Sequence, residues 1–265
     1  MRNGQAGRCI FCGSTGLSKE DIWPRWIRRA TSHPGGDSSS QLITHAFITD
    51  AAAVLVPEHR QRQGPTTSRK VRKVCRNHCN GGWMSRLETA AMPLLLPMIK
   101  DTPNCVLSVA DQETVARWAV KTSIMMQFTD ESTKTSHPDD DIAFYHARKA
   151  LSMNRVWLGR HEGTRWDRRH YHANADISDA TRRQIIDKWG TTTFVADRLV
   201  VLVLWDPPGL LSPLFPYSSE TVCVWPAVKE VVWPPAGTFT DEALQQAALW
   251  VHRAAGRAIR SRGQA

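Results

Sequence analysis

The stretch RCIFCGSTGLSKEDIWPRWI (residues 8–27), taken with CRNHCNGGWMSRLE (residues 75–88), decides how this chain is organised. Cys9 and Cys12 flank two residues on a turn to which Gly13 gives backbone freedom, and Cys75 and Cys79 flank three. Two short-spaced thiol pairs far apart in sequence supply a tetrahedral set by joining two local turns, the pattern of structural zinc. The second pair offers two fourth ligands, Cys79 and His78. The 62 residues between Cys12 and Cys75 must then fold over the site.

Four thiols used this way leave two of the six cysteines. Cys105 and Cys223 read as ordinary buried thiols. The opening MRNGQAGRCIFCG has no apolar core of a secretion signal, and no stretch approaches the ~18–20 apolar residues of a membrane span. The expectation is a cytoplasmic protein with no membrane partner, in which paired cysteines bind metal rather than form disulfides.

Charge sits with the cysteines. Residues 1–100 carry 15 Lys and Arg against 6 Asp and Glu, whereas residues 101–265 carry 19 of each, so the whole +9 excess lies in the first part. Arg25, Arg28, Arg29, Arg69, Lys70, Arg72, Lys73, Arg76 and Arg86 flank the two motif halves, and folding around a zinc ion would gather them into one phosphate-contacting surface. Nucleic acid is the partner this implies.

Periodicity supplies the rest. Leu17–Ala30 reads as a helix opening at Ser18 and bent or ended by Pro24. Residues 31–40 read as a loop, 41–57 as strand and His59–Arg72 as a flexible basic connection. Asn80–Leu96 reads as a helix that Pro93 kinks. Asp111–Phe128 is amphipathic, with Val115, Trp118, Thr122 and Met125 on one face. Asp139–Leu151 reads as a further helix. Extended segments follow at 155–161, 165–175, 191–196, 199–205, 222–225 and 230–233, and a last helix covers 241–260. Trp23, Trp26 and Trp83 fall at apolar-periodic positions and are expected in the core. His170 and His172 are expected on the solvent face of a strand.

The two motif halves resemble the zinc-stapled HNH endonuclease-like family, in which CxxC is followed by E-H-[IV]-x-P and later by C-N-x-G-W-M. The pieces ARWAVKTSIMM, VWLG and the Trp-Pro strand ends are similar to long members of that group. The helices and extended segments after residue 100 read as an α+β domain with a mainly antiparallel sheet over residues 101–265; the resemblance implies a treble-clef or ββα-metal (HNH-like) zinc module over residues 1–100, so that the whole is an α+β chain, with DNA as the partner. It also implies a hydrolase, an endonuclease that cleaves phosphodiesters with Mg²⁺ or Mn²⁺, in addition to the structural Zn²⁺.

Carried over by position, the family's general-base histidine falls on Asp21 and its helix-borne ligand on Asn80, with Glu20 beside the first. No Asn lies between Cys12 and Cys75 to match the family's middle element. An ordinary Asp is a far poorer base at pH 7 than an imidazole. Two readings follow. In one, Glu20 or Asp21 with Asn80 holds a hard divalent ion while His78 or His45 acts as base. In the other, the module is non-catalytic and binds nucleic acid or protein, with Glu20 and Asp21 complementing a helix start and Asn80 capping one.

Overall fold

The computed structural model describes residues 7–31, 40–49, 60–63, 70–128, 150–166, 169–179, 184–207 and 209–262. Within them the elements run β1 (Leu17–Asp21), α1 (Arg25–Ala30), β2 (Ser40–Thr49), β3 (Arg60–Gln63), β4 (Lys70–Cys75), a π-helical segment (Arg76–Met84), α2 (Ser85–Ile99), β5 (Cys105–Leu107) and α3 (Val109–Gln127). After these come β6 (Asn154–Arg160), β7 (His170–Asp179), β8 (Gln184–Ala196), β9 (Leu199–Trp205), β10 (Thr221–Trp225), β11 (Val231–Trp233), α4 (Asp241–Ala248) and α5 (Trp250–Arg262). The architecture is α+β with mainly antiparallel sheets.

Seven strands form the main sheet in the order β10-β6-β9-β8-β7-β2-β3. Every pairing in it is antiparallel except β2 on β7, which is parallel, with Gln41 opposite His170. β9, LVVLVLW, is buried along its whole length, and its side chains alternate between two cores. Leu199, Val201 and Val203 join Trp23, Ile27, Trp118 and Met125 on one face. Val200, Leu202 and Leu204 join Leu244, Ala248 and Val251 on the other. A strand covered on both faces reads as an unbroken apolar run for this reason. The first face carries α1, α2 and α3; the second carries α4 and α5.

The sheet crosses residue 100. β2 and β3 come from the N-terminal stretch and hydrogen-bond into the same sheet as β6–β10. The first core likewise runs from Cys9 and Trp23 through Leu95 to Val203.

Several sequence expectations are corrected. Leu17–Asp21 is a strand rather than a helical turn, because β4 supplies antiparallel partners from Leu17↔Cys75 to Asp21↔Lys70. The helix forms only after Pro24, whose missing N–H costs nothing at a helix start. The connection His59–Arg72 contains β3 and the beginning of β4. α2 accommodates both Pro93 and Pro97. α3 starts two residues before Asp111, which instead closes a capping box with Ser108. The last helix is two, divided at Leu249.

His170 and His172 are buried, at 1% and 0% exposure, because that face of β7 lies in the interior rather than in solvent. His172 Nδ1 lies 2.9 Å from Thr192 Oγ1, to which Ser123 Oγ donates at 2.6 Å, so a polar row crosses the core between β7, β8 and α3. Of the two spare cysteines, Cys105 is half-buried and Cys223 exposed. The helix expected over Asp139–Leu151 falls mostly outside the described residues, as do 50–57 of the second strand and Arg69. No helix among the described residues is long and apolar enough to cross a membrane.

Candidate metal site and adjoining cleft

The first thiol pair sits on a tight knuckle. Gly13 N donates to Cys9 O and Cys9 N to Ser14 O, both at 2.8 Å, while Gly13 and Gly16 turn the chain at φ 70° and 78°. Ile10 N donates to Lys73 O and Arg76 N to Gly16 O, tying the knuckle to the end of β4. Cys75 closes that strand, and Cys79 arrives one turn into the π-helical segment.

The four Sγ atoms lie within 4.8 Å of one another. Cys9 and Cys79 are 3.6 Å apart and Cys12 and Cys75 3.5 Å, too far for a disulfide. Zinc bound at about 2.3 Å by four thiolates sets them roughly 3.8 Å apart, so the set could hold a metal ion such as zinc. Cys79 is buried among them while His78 is exposed, and Cys79 therefore supplies the fourth thiol.

The thiols ionise unequally. Burial opposes the Cys12 thiolate, but hydrogen bonds with the Ser14 side chain and backbone and with Cys75 and Cys79 outweigh it and bring the thiol down to about 6. Burial pushes Cys75 and Cys79 up. A bound cation is what draws such a set to four thiolates together.

Beside this set, β1, the start of α1 and the beginning of α2 enclose a cleft of ≈ 330 Å³, lined among others by Lys19, Glu20, Asp21, Arg25, Asn80 and Glu88. Glu20, Asp21 and Asn80 thus border one cavity, and His78 does not line it. His45 lies on β2 opposite Asn174, in the large sheet rather than in the β1–β4 pair.

The polar groups of the cleft differ in what holds them. Asp21 is an ion-pair hub, reached by Arg25 at 3.0 Å, Lys70 at 3.7 Å and Arg28 at 3.8 Å. Glu88 is held by the Lys121 ammonium, which is 1% exposed beneath it on α3, and accepts from Trp26 Nε1 at 2.8 Å. Asn80 Nδ2 donates to Ser18 Oγ at 2.9 Å. Among the described residues the Glu20 carboxylate and the Asn80 amide oxygen have no hydrogen-bond partner, and neither has Asp21 Oδ1, which faces the Lys70 and Arg28 charges at 3.7 and 3.8 Å. Burial first, then the negative charges of Glu88 and Asp21 against the opposing pull of Lys121, raises Glu20 to about 7.

Of the basic residues, Arg25, Arg28 and Lys70 converge on Asp21, and their charges are partly engaged there. Arg29, Arg72, Arg76 and Arg86 are exposed. Lys73 is half-buried with its ammonium 5.6 Å from the Phe128 ring centroid. The three tryptophans pack inward. Trp23 meets Phe194 edge-on at 5.8 Å, Trp26 lies 6.0 Å from Trp118, and Trp83 meets Phe11 at 5.2 Å.

Sequence reasoning missed Glu88 and Lys121. Glu88 lines the cleft with Asn80, but the non-helical Gly82 between them breaks the regular helical spacing that could have linked the two in the sequence. Lys121 lies three residues after Trp118 on the apolar stripe of α3, where a buried ammonium requires a carboxylate.

A second cleft, ≈ 230 Å³, lies on the other side of the sheet and is bordered by Arg165, Trp166, Arg169, Asp241 and Glu242. Asp241 lies 3.0 Å from the buried His161 Nε2 and accepts from the backbone N–H groups of Thr164 and Arg165 at 3.2 and 3.1 Å. Those backbone and imidazole contacts overcome the effect of burial and hold Asp241 below the usual carboxylate range. Burial holds His161 below the ordinary imidazole value although Asp241 pulls the other way.

Comparison with protein-family models, with curated proteins and with solved structures finds no match.

Proposed function

We propose that this chain is a divalent-metal-dependent, HNH-like phosphodiesterase acting on DNA, with Zn²⁺ on the four cysteines as a structural staple and the cleft of Glu20 and Asn80 as its reaction site. The observation that carries the reading is the pairing in one cavity of a half-buried carboxylate that has no charged partner among the described residues with an amide oxygen that accepts no hydrogen bond from them, while the neighbouring carboxylates are ion-paired. Antiparallel β1 and β4 followed by a helical segment that bears Asn80 agree with the ββα resemblance.

Glu20 and the Asn80 oxygen would hold Mg²⁺ or Mn²⁺, which takes oxygen ligands and would polarise the scissile phosphate. With the ion bound, Glu20 would be held as the carboxylate, its charge set against the cation rather than against an arginine or lysine as that of Asp21 is. Exposed Arg72, Arg76 and Arg86 would meet phosphates outside the cleft.

A specific observation favours one other reading. Asp21 stands where the resemblance expects a histidine and gathers three cations, an arrangement suited to a zinc module that grips nucleic acid without cutting it. Incubation with supercoiled plasmid and Mg²⁺ or Mn²⁺ separates the two. The enzyme yields nicked circles that disappear with Glu20→Gln and Asn80→Ala. Clean wild-type protein that leaves the plasmid intact under either ion, yet retards it in a salt-dependent way, leaves the binding module.

A further inference from the structure

We infer that Ser18 is a positioning residue whose hydroxyl fixes the Asn80 side chain so that its amide oxygen, and not its nitrogen, faces the cleft. This rests on the reading of the cleft given above and extends it to a residue outside the motif.

Ser18 lies on β1 in register with Val74 of β4. Its Oγ donates to the Val74 carbonyl at 3.3 Å and accepts from Asn80 Nδ2 at 2.9 Å. A hydroxyl has a single proton. Once that proton points at Val74, only lone pairs are left for Asn80, and only the NH₂ end of an amide can meet a lone pair. In the flipped amide Oδ1 could be met only by turning the Ser18 proton away from Val74, at the cost of that hydrogen bond. The donation to Val74 therefore selects the orientation at Asn80.

The selection matters because hard divalent cations bind carbonyl and carboxylate oxygens, whereas an amide NH₂ has no lone pair to offer them. Asn80 Oδ1 carries no hydrogen bond from any described residue, so the amide's one free acceptor is the atom left to the cleft. Nor can the Val74 carbonyl move independently. Val74 is fully buried and is followed by Cys75, whose thiol belongs to the four-cysteine set. The constraint thus passes from the staple through β4 and the Ser18 hydroxyl to the amide, a route by which a structural metal governs a site it does not touch.

The test uses the full zinc-loaded chain and Mn²⁺ alone as the probe, followed by electron paramagnetic resonance. Ser18→Val removes the hydroxyl and keeps a side chain suited to a strand; Mn²⁺ affinity falls about three- to tenfold, the worth of one orienting hydrogen bond. Ser18→Thr restores the hydroxyl and stays near the wild type, while Asn80→Ala loses the site. A second readout needs no metal in the cleft. The Asn80 side-chain NH₂ signals, identified by their absence in Asn80→Ala, are protected from solvent exchange in the wild type and Ser18→Thr and lose protection in Ser18→Val. Should the valine variant not fold, Ser18→Ala serves in both measurements. Wild-type affinity and retained NH₂ protection without the hydroxyl, with binding still lost in Asn80→Ala, overturn the role of Ser18 alone. A wild-type chain that takes up no Mn²⁺ overturns the cleft reading and this inference together.

Discussion

In the cleft beside the four thiols and in the one beside α4, carboxylates meet cations at similar distances, yet the two leave different groups for a ligand. In the second, Asp241 is held by His161 and two backbone N–H groups, and Glu242 is paired with Arg165. In the first, Asp21 and Glu88 are likewise ion-paired, but Glu20 is not. An acidic residue in a cavity marks a site only when its partners are accounted for. Counting carboxylates would rank these two clefts alike; counting carboxylates without a charged partner separates them.

The contrast breaks most visibly in activity. Glu20→Gln is expected to reduce metal-dependent plasmid nicking by a factor on the order of 10², because a neutral amide is a far weaker ligand for a divalent ion than a carboxylate, whereas Asp241→Asn keeps nicking within a few-fold of wild type. Equal losses in the two variants, measured by initial rates on the folded proteins, would erase the distinction.

Stability reverses the ranking. Asp241→Asn removes the charge against which a fully buried His161 and two backbone donors are set, and urea titration should show a loss of about 2–3 kcal/mol. Glu20→Gln should not destabilise at neutral pH, because it removes a carboxylate that burial disfavours in its charged form.

The same two residues give opposite pH signatures. Glu20 is raised from its ordinary 4.5 to about 7, so between those values the folded chain holds a proton that the unfolded chain has released. Its contribution is therefore full in acid and lost as pH rises through about 7, by on the order of 2 kcal/mol. Asp241 is depressed, so its contribution is present above the ordinary carboxylate value and lost as pH falls; His161, also depressed, disfavours folding once the unfolded chain can protonate it. Unfolding measured without added Mg²⁺ or Mn²⁺ should show Glu20→Gln gaining relative to wild type as pH rises from about 5 to 8, and Asp241→Asn gaining only as pH falls below the ordinary carboxylate value of 3.8, where the contribution of Asp241 is lost.

The smallest expected effect concerns the exposed cations. Arg72→Ala should weaken DNA binding by less than tenfold and lower the slope of log K against log salt by about 1, because a phosphate contact is lost and no base is read. Arg165→Ala, on the other cleft, should leave that slope unchanged.

Much of this was legible in the residues. The paired cysteines announced their own cluster, and the β9 run, the α3 stripe and the three inward tryptophans were readable as periodicity. Leu17–Asp21 was misread because Ser18, Glu20 and Asp21 mimic a helix start, while the partner that makes them a strand lies some fifty residues away in β4. His170 and His172 look like a solvent face until α3 and Trp23 cover them. The state of each carboxylate was beyond reading from sequence, since Lys121 reaches Glu88 from a different helix and Arg28 and Lys70 reach Asp21 from different elements.

The chain between the two cysteine pairs has a consequence for association. β2 and β3 form one edge of the seven-stranded sheet, and β2 is attached to the rest of it only along β7. An edge hairpin on a long connection is the kind of element that two copies of a chain can exchange, each completing the other's sheet. Clasping Cys9 and Cys12 to Cys75 and Cys79 ties the two ends of that connection together within one molecule. A metal ion held by the four thiols would therefore also act against strand exchange, favouring the pairing of β2 with its own β7.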